Sequence, residues 1–306
     1  MRWNKLIELI VNKRERFETL TRRGFYNYLP DEIFLRKSFK IRMGYALNLQ
    51  NPQTFNEKLQ WLKINDRKPI YTTMVDKYDV KAYVAEQIGE EYIIPTFGVW
   101  DAFDEIDFDA LPNQFVLKCT HDSGGRVICR DKSQLNLIAA KEKINTSLRR
   151  NYYKLSREWP YKDVKPRIIA EQYMTDSPDS NDFTDYKFFC FDGKVDCVMV
   201  CLERSSGDTK FYFFDRDWNL KRLNIRGKNA PKGFTIPKPE CMDEMFEIAA
   251  KLSQGVSYLR VDLYQSNGRV YFGELTFFPQ SGFDANLLPE TDEYFGRLLQ
   301  LPKKQA

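Results

Sequence analysis

Histidine occurs once in the 306 residues, at His121. A zinc site with several imidazole ligands and most Ser-His-Asp chemistry are excluded at once, so catalysis has to rest on carboxylates, lysines and arginines. The six cysteines (Cys119, Cys129, Cys190, Cys197, Cys201 and Cys241) contain no CxxC pair and lie mostly in apolar, strand-like runs. That is the usage of a chain kept reduced, and a cytoplasmic protein is expected. No apolar run approaches the roughly 20 residues that span a bilayer, and no charged-then-apolar leader opens the sequence, so neither membrane spanning nor secretion is expected. Repeats, low-complexity tracts and Gly- or Pro-rich linkers are missing as well, which implies lobes in tight contact.

What is present is core material. With 42% hydrophobic and 15% aromatic residues, the chain can bury a substantial interior in two or three lobes. The net charge of +4 is unevenly placed: residues 1–43 hold eleven Lys/Arg against five Asp/Glu. Trp3, Leu6, Ile7 and Ile10 share one helical face there. Such a basic start is suited either to packing on the body of the protein or to peripheral contact with an anionic inner-membrane surface. No nucleic-acid motif accompanies it, and nucleic acid is not expected as a partner.

Thr54-x-x-Glu57 is a capping-box pattern that opens a helix through Leu62, and a second helical stretch runs from Thr73 towards Gln87. From Tyr92 short apolar runs bounded by Asp, Ser and Gly read as strands: FVLKC (115–119), RVIC (126–129), RIIAEQYM (167–174), DYKFFCF (185–191) and KVDCVMVCL (194–202). The last two are joined by an Asp192-Gly193 turn. A long helix capped by Ser133 is expected to reach about Lys154, and a last helix spans about Cys241 to Ser253, ending at Gly255.

The segment YLRVDLYQSNGRVYFGELTFFPQSG (258–282) reads as a hairpin. Leu259, Val261 and Leu263 form one face; Arg260 and Asp262 form the other, and Glu274 and Thr276 return on the second strand. All four polar residues carry even numbers, so they share a face if the loop is odd, as in a three-residue Ser266-Asn267-Gly268 turn. Two carboxylates would then lie close enough to share a cation such as Mg²⁺. An ordinary hairpin with a polar outer face has the same pattern.

In FVLKCTHDSGGRV, Lys118 ends a strand and a glycine-bearing loop follows, an arrangement that can offer backbone N–H groups and a point charge to phosphate. Gly124-Gly125 can equally be a plain turn, and His121 either touches phosphate or sits on the surface. Lys187 shares a strand face with Asp185, and Arg204 follows the VMVCL run.

Taken in order, these pieces resemble the ATP-grasp superfamily. Asp76-Lys77-Tyr78-Asp79-Val80-Lys81 is similar to its DKxxxK entry to the lid, with Lys77 on ATP phosphate. Lys118 is similar to the second nucleotide lysine, and Thr120 to Gly125, with His121, Ser123, Gly124 and Gly125, to the loop that closes over the triphosphate. Glu171, Gln172 and Tyr173 resemble the adenine-binding hinge. Asp185 and Lys187 resemble the D-x-R strand of glutathione synthetase-like ligases, with Lys in place of Arg, and Arg204 falls where those ligases often keep a substrate-side or phosphate-side arginine. Arg260, Asp262 and Glu274 match R-x-D and E-x-N before P-x-x-G, with Thr276 where Asn or Asp is usual. More narrowly, TFNEKLQWLK, DKY, FVLK, DYKFFCF and RVDLY...FGELTF resemble the TupA-like ATP-grasp family over about Asn51 to Gly282.

The resemblance implies an α+β ATP-grasp fold: a mostly helical region over 1–76, a lid lobe over 77–170 and an antiparallel-sheet core over 171–306, with nucleotide between the last two. It implies ATP and Mg²⁺ as cofactors, metal on Asp262, Glu274 and Thr276, and Arg260, Lys187 and Arg204 in catalysis. The implied reaction is amide formation between a carboxylate and an amine through an acyl-phosphate, in bacterial capsule or other surface polysaccharide synthesis. Two rivals remain at this stage. One is a glycosyltransferase, on the triplets Asp107-Phe108-Asp109 and Asp215-Arg216-Asp217; the other is an ATP-binding scaffold without turnover.

Overall fold

A computed structural model describes residues 12–176, 184–203 and 208–303. Arg204 and the apolar face of Trp3, Leu6, Ile7 and Ile10 lie outside the described residues.

The N-terminal part is helical: α1 (Lys13–Arg22), α2 (Asp31–Met43) and α3 (Phe55–Asn65) precede α4 (Ile70–Val75) and α5 (Asp79–Ile88). The capping box at α3 forms as the sequence predicts. Thr54 Oγ1 accepts from Glu57 N at 3.3 Å, and the Glu57 carboxylate accepts from Thr54 N at 3.2 Å. The single helix expected from Thr73 to Gln87 is instead two. Asp76 Oδ1 accepts from Tyr78 N at 2.8 Å and from Asp79 N at 3.2 Å. The side chain thereby caps a new helix, and Lys77 is left at the joint.

Strands β1 (Thr96–Trp100), β2 (Phe115–Cys119), β3 (Arg126–Cys129) and β4 (Ile168–Gln172) form a four-stranded antiparallel sheet in the order β1-β4-β2-β3. Between β3 and β4 the long helix expected from Ser133 is shorter and starts later: α6 (Leu137–Leu148) is capped by Asn136, whose Oδ1 accepts from Ala139 N at 3.0 Å. A separate turn of helix, α7 (Tyr153–Ser156), follows. Ala140 and Ile144 of α6 pack over Phe115, Leu117, Ile168 and Ala170 in a core of their own.

The second sheet has six antiparallel strands, ordered β10-β9-β5-β6-β7-β8: β5 (Asp185–Phe191), β6 (Lys194–Leu202), β7 (Lys210–Phe214), β8 (Leu220–Lys221), β9 (Leu259–Ser266) and β10 (Arg269–Thr276). The Asp192-Gly193 turn is as expected, with both residues at positive φ. A short α8 (Ile225–Lys228) follows β8, and α9 (Met242–Leu252) lays Met245, Phe246, Ala249 and Leu252 on the sheet, where the Phe246 ring meets Phe188 edge-on at 5.1 Å. After the hairpin comes α10 (Pro289–Leu298), an element that the sequence reading omits although Pro289 at its first turn, with Glu290 and Asp292, is a start signal. Asp292 Oδ1 accepts from Asn56 N at 2.9 Å, joining α10 to the start of α3. All six cysteines are buried and free, and no helix among the described residues is long and apolar enough to cross a membrane.

Candidate active site

The hairpin does bring its polar residues together, by a different device from the one expected. The loop is two residues, Asn267 and Gly268, at φ 52° and 74°, which pairs Ser266 with Arg269 and would put Asp262 and Glu274 on opposite faces. A bulge corrects the parity: Phe272 pairs with Leu263, Gly273 is extra, and Glu274 pairs with Asp262 and Thr276 with Arg260. The bulge also moves the core set of β10 to Val270 and Phe272 before it and Leu275 after it, so Tyr271 faces away from the core. Gly273 is required there, because a Cβ would stand 2.6 Å from the Tyr264 ring and 2.9 Å from Asp262 O.

The result is a compact charge cluster. Arg260 donates from Nε to Asp262 Oδ1 at 2.6 Å and from Nη2 to Asp262 Oδ2 at 2.8 Å, to Glu274 Oε1 at 3.0 Å and to Thr276 Oγ1 at 3.1 Å. Lys187, brought alongside because β5 pairs it with Asp262 in register, donates to Asp262 Oδ2 and lies 3.2 Å from Asp185 Oδ2. Asp262 is completely buried, whereas the Glu274 side chain is 43% exposed. Burial would push the Glu274 carboxyl up, but Arg260, Lys187 and Lys77 hold it down to about 2. Burial likewise opposes the charge on Lys187, and Asp262 outweighs it and raises the lysine.

A second cluster sits on the four-stranded sheet. Lys118 and Glu171 are diagonal neighbours on β2 and β4, and Lys118 Nζ lies 2.5 Å from Glu171 Oε2. Lys81 from α5 reaches the other oxygen at 2.6 Å and donates to Ile94 O at 2.6 Å. Burial works against the Glu171 charge, but the two lysines prevail and hold its carboxyl at about 2.

Lys77 is tied to the loop that follows Lys118. Its backbone N–H donates to Thr120 O at 3.1 Å, its Nζ to Asp122 O, and its charge is felt at Glu274. The loop after Lys118 is tied down at both ends, by Thr120 N on Arg167 O at 2.9 Å and by the Ser147 hydroxyl on Asp122. Only Ser123 and Gly124 stand exposed at the tip. Gly125 approaches α6 so closely that a Cβ would strike the Ser147 hydroxyl. His121 is not a surface residue: it is 3% exposed, its Nε2 lies 3.1 Å from Arg150 O, and burial pushes the imidazole below its usual pKa. Gln172 N donates to Pro95 O at 3.0 Å, and the Tyr173 hydroxyl accepts from Arg130 at 3.0 Å.

A family model for TupA-like ATP-grasp proteins matches residues 57–300. The chain belongs to the TupA-like ATP-grasp family. No curated protein matches the sequence. Among solved structures, the chain is similar to a D-alanine–D-alanine ligase from Bacillus anthracis complexed with ATP, at 19% identity and TM-score 0.42 over 73% of this chain and 60% of that one. It is similar also to the ATP-grasp ligase PsnB complexed with minimal precursor, Mg and ADP, at 11% and 0.38 over 72% and 57%. A third is the D-cycloserine synthetase DcsG, at 16% and 0.41 over 76% and 72%. The chain thus spans less than two thirds of the first two structures.

For an ATP-grasp protein the donor set on the hairpin is apt for Mg²⁺: two carboxylates and a hydroxyl, all oxygen. Among the described residues no three or more His, Cys, Asp or Glu side chains are grouped to hold a metal unaided. A cation here would complete its shell from phosphate oxygens and water, as Mg²⁺ does beside nucleotides. The structure also brings in residues that the sequence reading passed over. Lys81 was part of the DKxxxK pattern and could have been assigned from it. Arg167, at 2.8 Å from both Asp76 and Asp79, had no such signal. The first aspartate of each DxD triplet is spent locally: Asp107 accepts from Asp109 N at 3.0 Å and Asp215 from Asn219 N at 2.8 Å, both as turn caps.

Proposed function

We propose that the protein is an ATP-dependent, ADP-forming carboxylate–amine ligase working through an acyl-phosphate. One observation carries this reading: the Gly273 bulge sets Asp262 and Glu274 side by side, flanked by Arg260 and Lys187, with Lys77 close enough for its charge to act on Glu274. A phosphoryl-transfer site needs such a place, where oxygen ligands for a cation meet lysines for phosphate. Asp262, Glu274 and Thr276 would hold Mg²⁺, which supplies charge neutralisation on the phosphates when bound.

In this proposal Lys77 and Lys118 bind phosphate oxygens, and the loop with His121, Ser123, Gly124 and Gly125 covers them. The lid is 77–170, the core 171–306, and the hinge at Glu171, Gln172 and Tyr173 receives adenine. A carboxylate oxygen bonds to the γ-phosphorus as the bond to the β-bridging oxygen breaks and ADP leaves. An amine nitrogen then attacks the acyl carbon, phosphate departs, and the nitrogen loses a proton. Arg260 stabilises the oxyanion of the addition step. Lys187 and Arg204 complete the proposed set on the acyl side, and Asp185 belongs with the nucleotide-binding residues. A uronic acid or amino acid of a bacterial surface polysaccharide is the proposed acceptor class, in keeping with the family. The cation surplus of residues 1–43, with Phe25 58% and Tyr28 80% exposed, supports peripheral membrane contact, and equal co-sedimentation with anionic and neutral vesicles would refute it.

The test of function is ADP release with ATP and Mg²⁺ across uronic acids and amino acids, each paired with amines. A sugar-nucleotide enzyme would be stabilised thermally by uridine or guanosine diphosphate sugars in preference to ATP. A scaffold would bind ATP and release no ADP under any mixture.

A further inference from the structure

Just beyond the metal hairpin the backbone makes a turn against its own preferences. Gln280, Ser281 and Gly282 have φ of 49°, 55° and 67°, and each non-glycine residue in the left-handed region costs roughly 1 kcal/mol. A run of three persists only where the surroundings over-determine it. Those surroundings are α3. Gln60, fully buried, donates from Nε2 to Gly282 O at 2.5 Å and to Ser281 O at 3.4 Å. One turn further on Lys63, also fully buried, donates from Nζ to Ser281 O at 2.7 Å and to Ser156 O at 2.9 Å.

Two residues after Ser156 lies Glu158, 3% exposed, which accepts from the Ser156 hydroxyl at 2.8 Å. Its charge favours the Lys63 ammonium, without a direct ion pair between them. The Phe283 ring closes the space, with Lys63 Nζ 4.8 Å and the Arg42 guanidinium 4.9 Å from its centroid. The turn follows the hairpin directly, Gln280 standing four residues after Thr276 at the end of β10, so this cluster adjoins the Asp262–Glu274 patch.

Burying an ammonium and a carboxylate here costs several kcal/mol that an apolar pair of similar volume would avoid. What a methyl-ended side chain cannot do is donate two hydrogen bonds that tie Ser156 and Ser281, in segments far apart in sequence, to one helix. Resting on the ligase reading, we propose that Lys63 is a positioning residue which, with Gln60 and Glu158, fixes the Gln280–Gly282 turn as a rigid wall beside the Asp262–Glu274 patch.

The test uses the full chain. Lys63→Met alone strands Glu158 and lowers the melting temperature, so the informative variant is Lys63→Met with Glu158→Gln, which removes both charges together. It is expected to melt close to wild type and to keep its MgATP affinity within about threefold. Amide exchange over residues 280–283 should nevertheless rise by about tenfold or more. With the carboxylate and amine found for wild type, kcat should fall by about tenfold or more while the KM for ATP is unchanged. Exchange equal to wild type, or full recovery of kcat along with stability, overturns the proposal. If wild type releases no ADP with any mixture, the ligase reading has failed on its own account. The exchange measurement then decides alone whether Lys63 holds the turn.

Discussion

Glu171 receives two lysines on one buried carboxylate, and its acidity follows from that. Unfolded, it takes up its proton near 4.5; folded, at about 2. A depressed value means stability that is fully present above pH 4.5 and is lost as pH falls towards 2, worth roughly 3 kcal/mol for a group this buried. Denaturant unfolding of Glu171→Gln should show a deficit of that order at neutral pH that shrinks through this window, and a deficit constant from pH 6 to 2 would contradict the pairing. Glu274 calls for a different expectation because it is partly open. Glu274→Gln should leave the melting temperature within a few degrees of wild type, while Asp262→Asn, which removes the fully buried carboxylate that Arg260 and Lys187 share, should cost about 3 kcal/mol. Lys81 and Lys118 were both visible as residues in the sequence. What was not visible is that they share Glu171, since the contact depends on how α5 meets β4 and no local spacing encodes it.

The hairpin of β9 and β10 shows how an element can be legible in outcome and opaque in means. Alternation put Arg260, Asp262, Glu274 and Thr276 in one patch only on the condition of an odd loop, and the patch forms although the loop is even. The expected three-residue turn does not, because Asn267-Gly268 suits a two-residue turn and the odd residue is taken up at Gly273. The bulge depends on the Tyr264 ring and the Asp262 carbonyl, which periodicity does not contain. Gly273→Ala should therefore cost about 2 kcal/mol or more in unfolding free energy and disable the site. Gly268→Ala, where a Cβ meets nothing within 4 Å, should cost only about 1 kcal/mol of left-handed strain and leave activity in place. Equal effects of the two on activity would contradict the role given to the bulge. The helical misreadings have the same origin in side-chain caps: Asp76 splits one expected helix and Asn136 delays another.

At the scale of the whole molecule, two antiparallel sheets each carry one charge cluster, Lys118–Glu171–Lys81 on the first and Arg260–Asp262–Lys187 on the second. Lys77 is bonded to Asp122 in the loop after Lys118, and its charge helps to hold the Glu274 carboxyl down. The strands DYKFFCF and KVDCVMVCL could be read from the sequence to the residue. The order β10-β9-β5 that sets Lys187 against Asp262 could not, because it joins segments about 75 residues apart. The same distance problem hid Lys63, whose acceptors lie 93 and 218 residues away. The central claim is that these clusters serve acyl-phosphate formation. Its most direct test is hydroxamate formation from a panel of carboxylates with ATP, Mg²⁺ and hydroxylamine as the trapping amine. Wild type should give hydroxamate and ADP in equal amounts with at least one carboxylate, and Glu274→Gln should lower both by about a hundredfold while still folded. ATP binding without ADP or hydroxamate from any carboxylate, or equal yields from the two proteins, would contradict it.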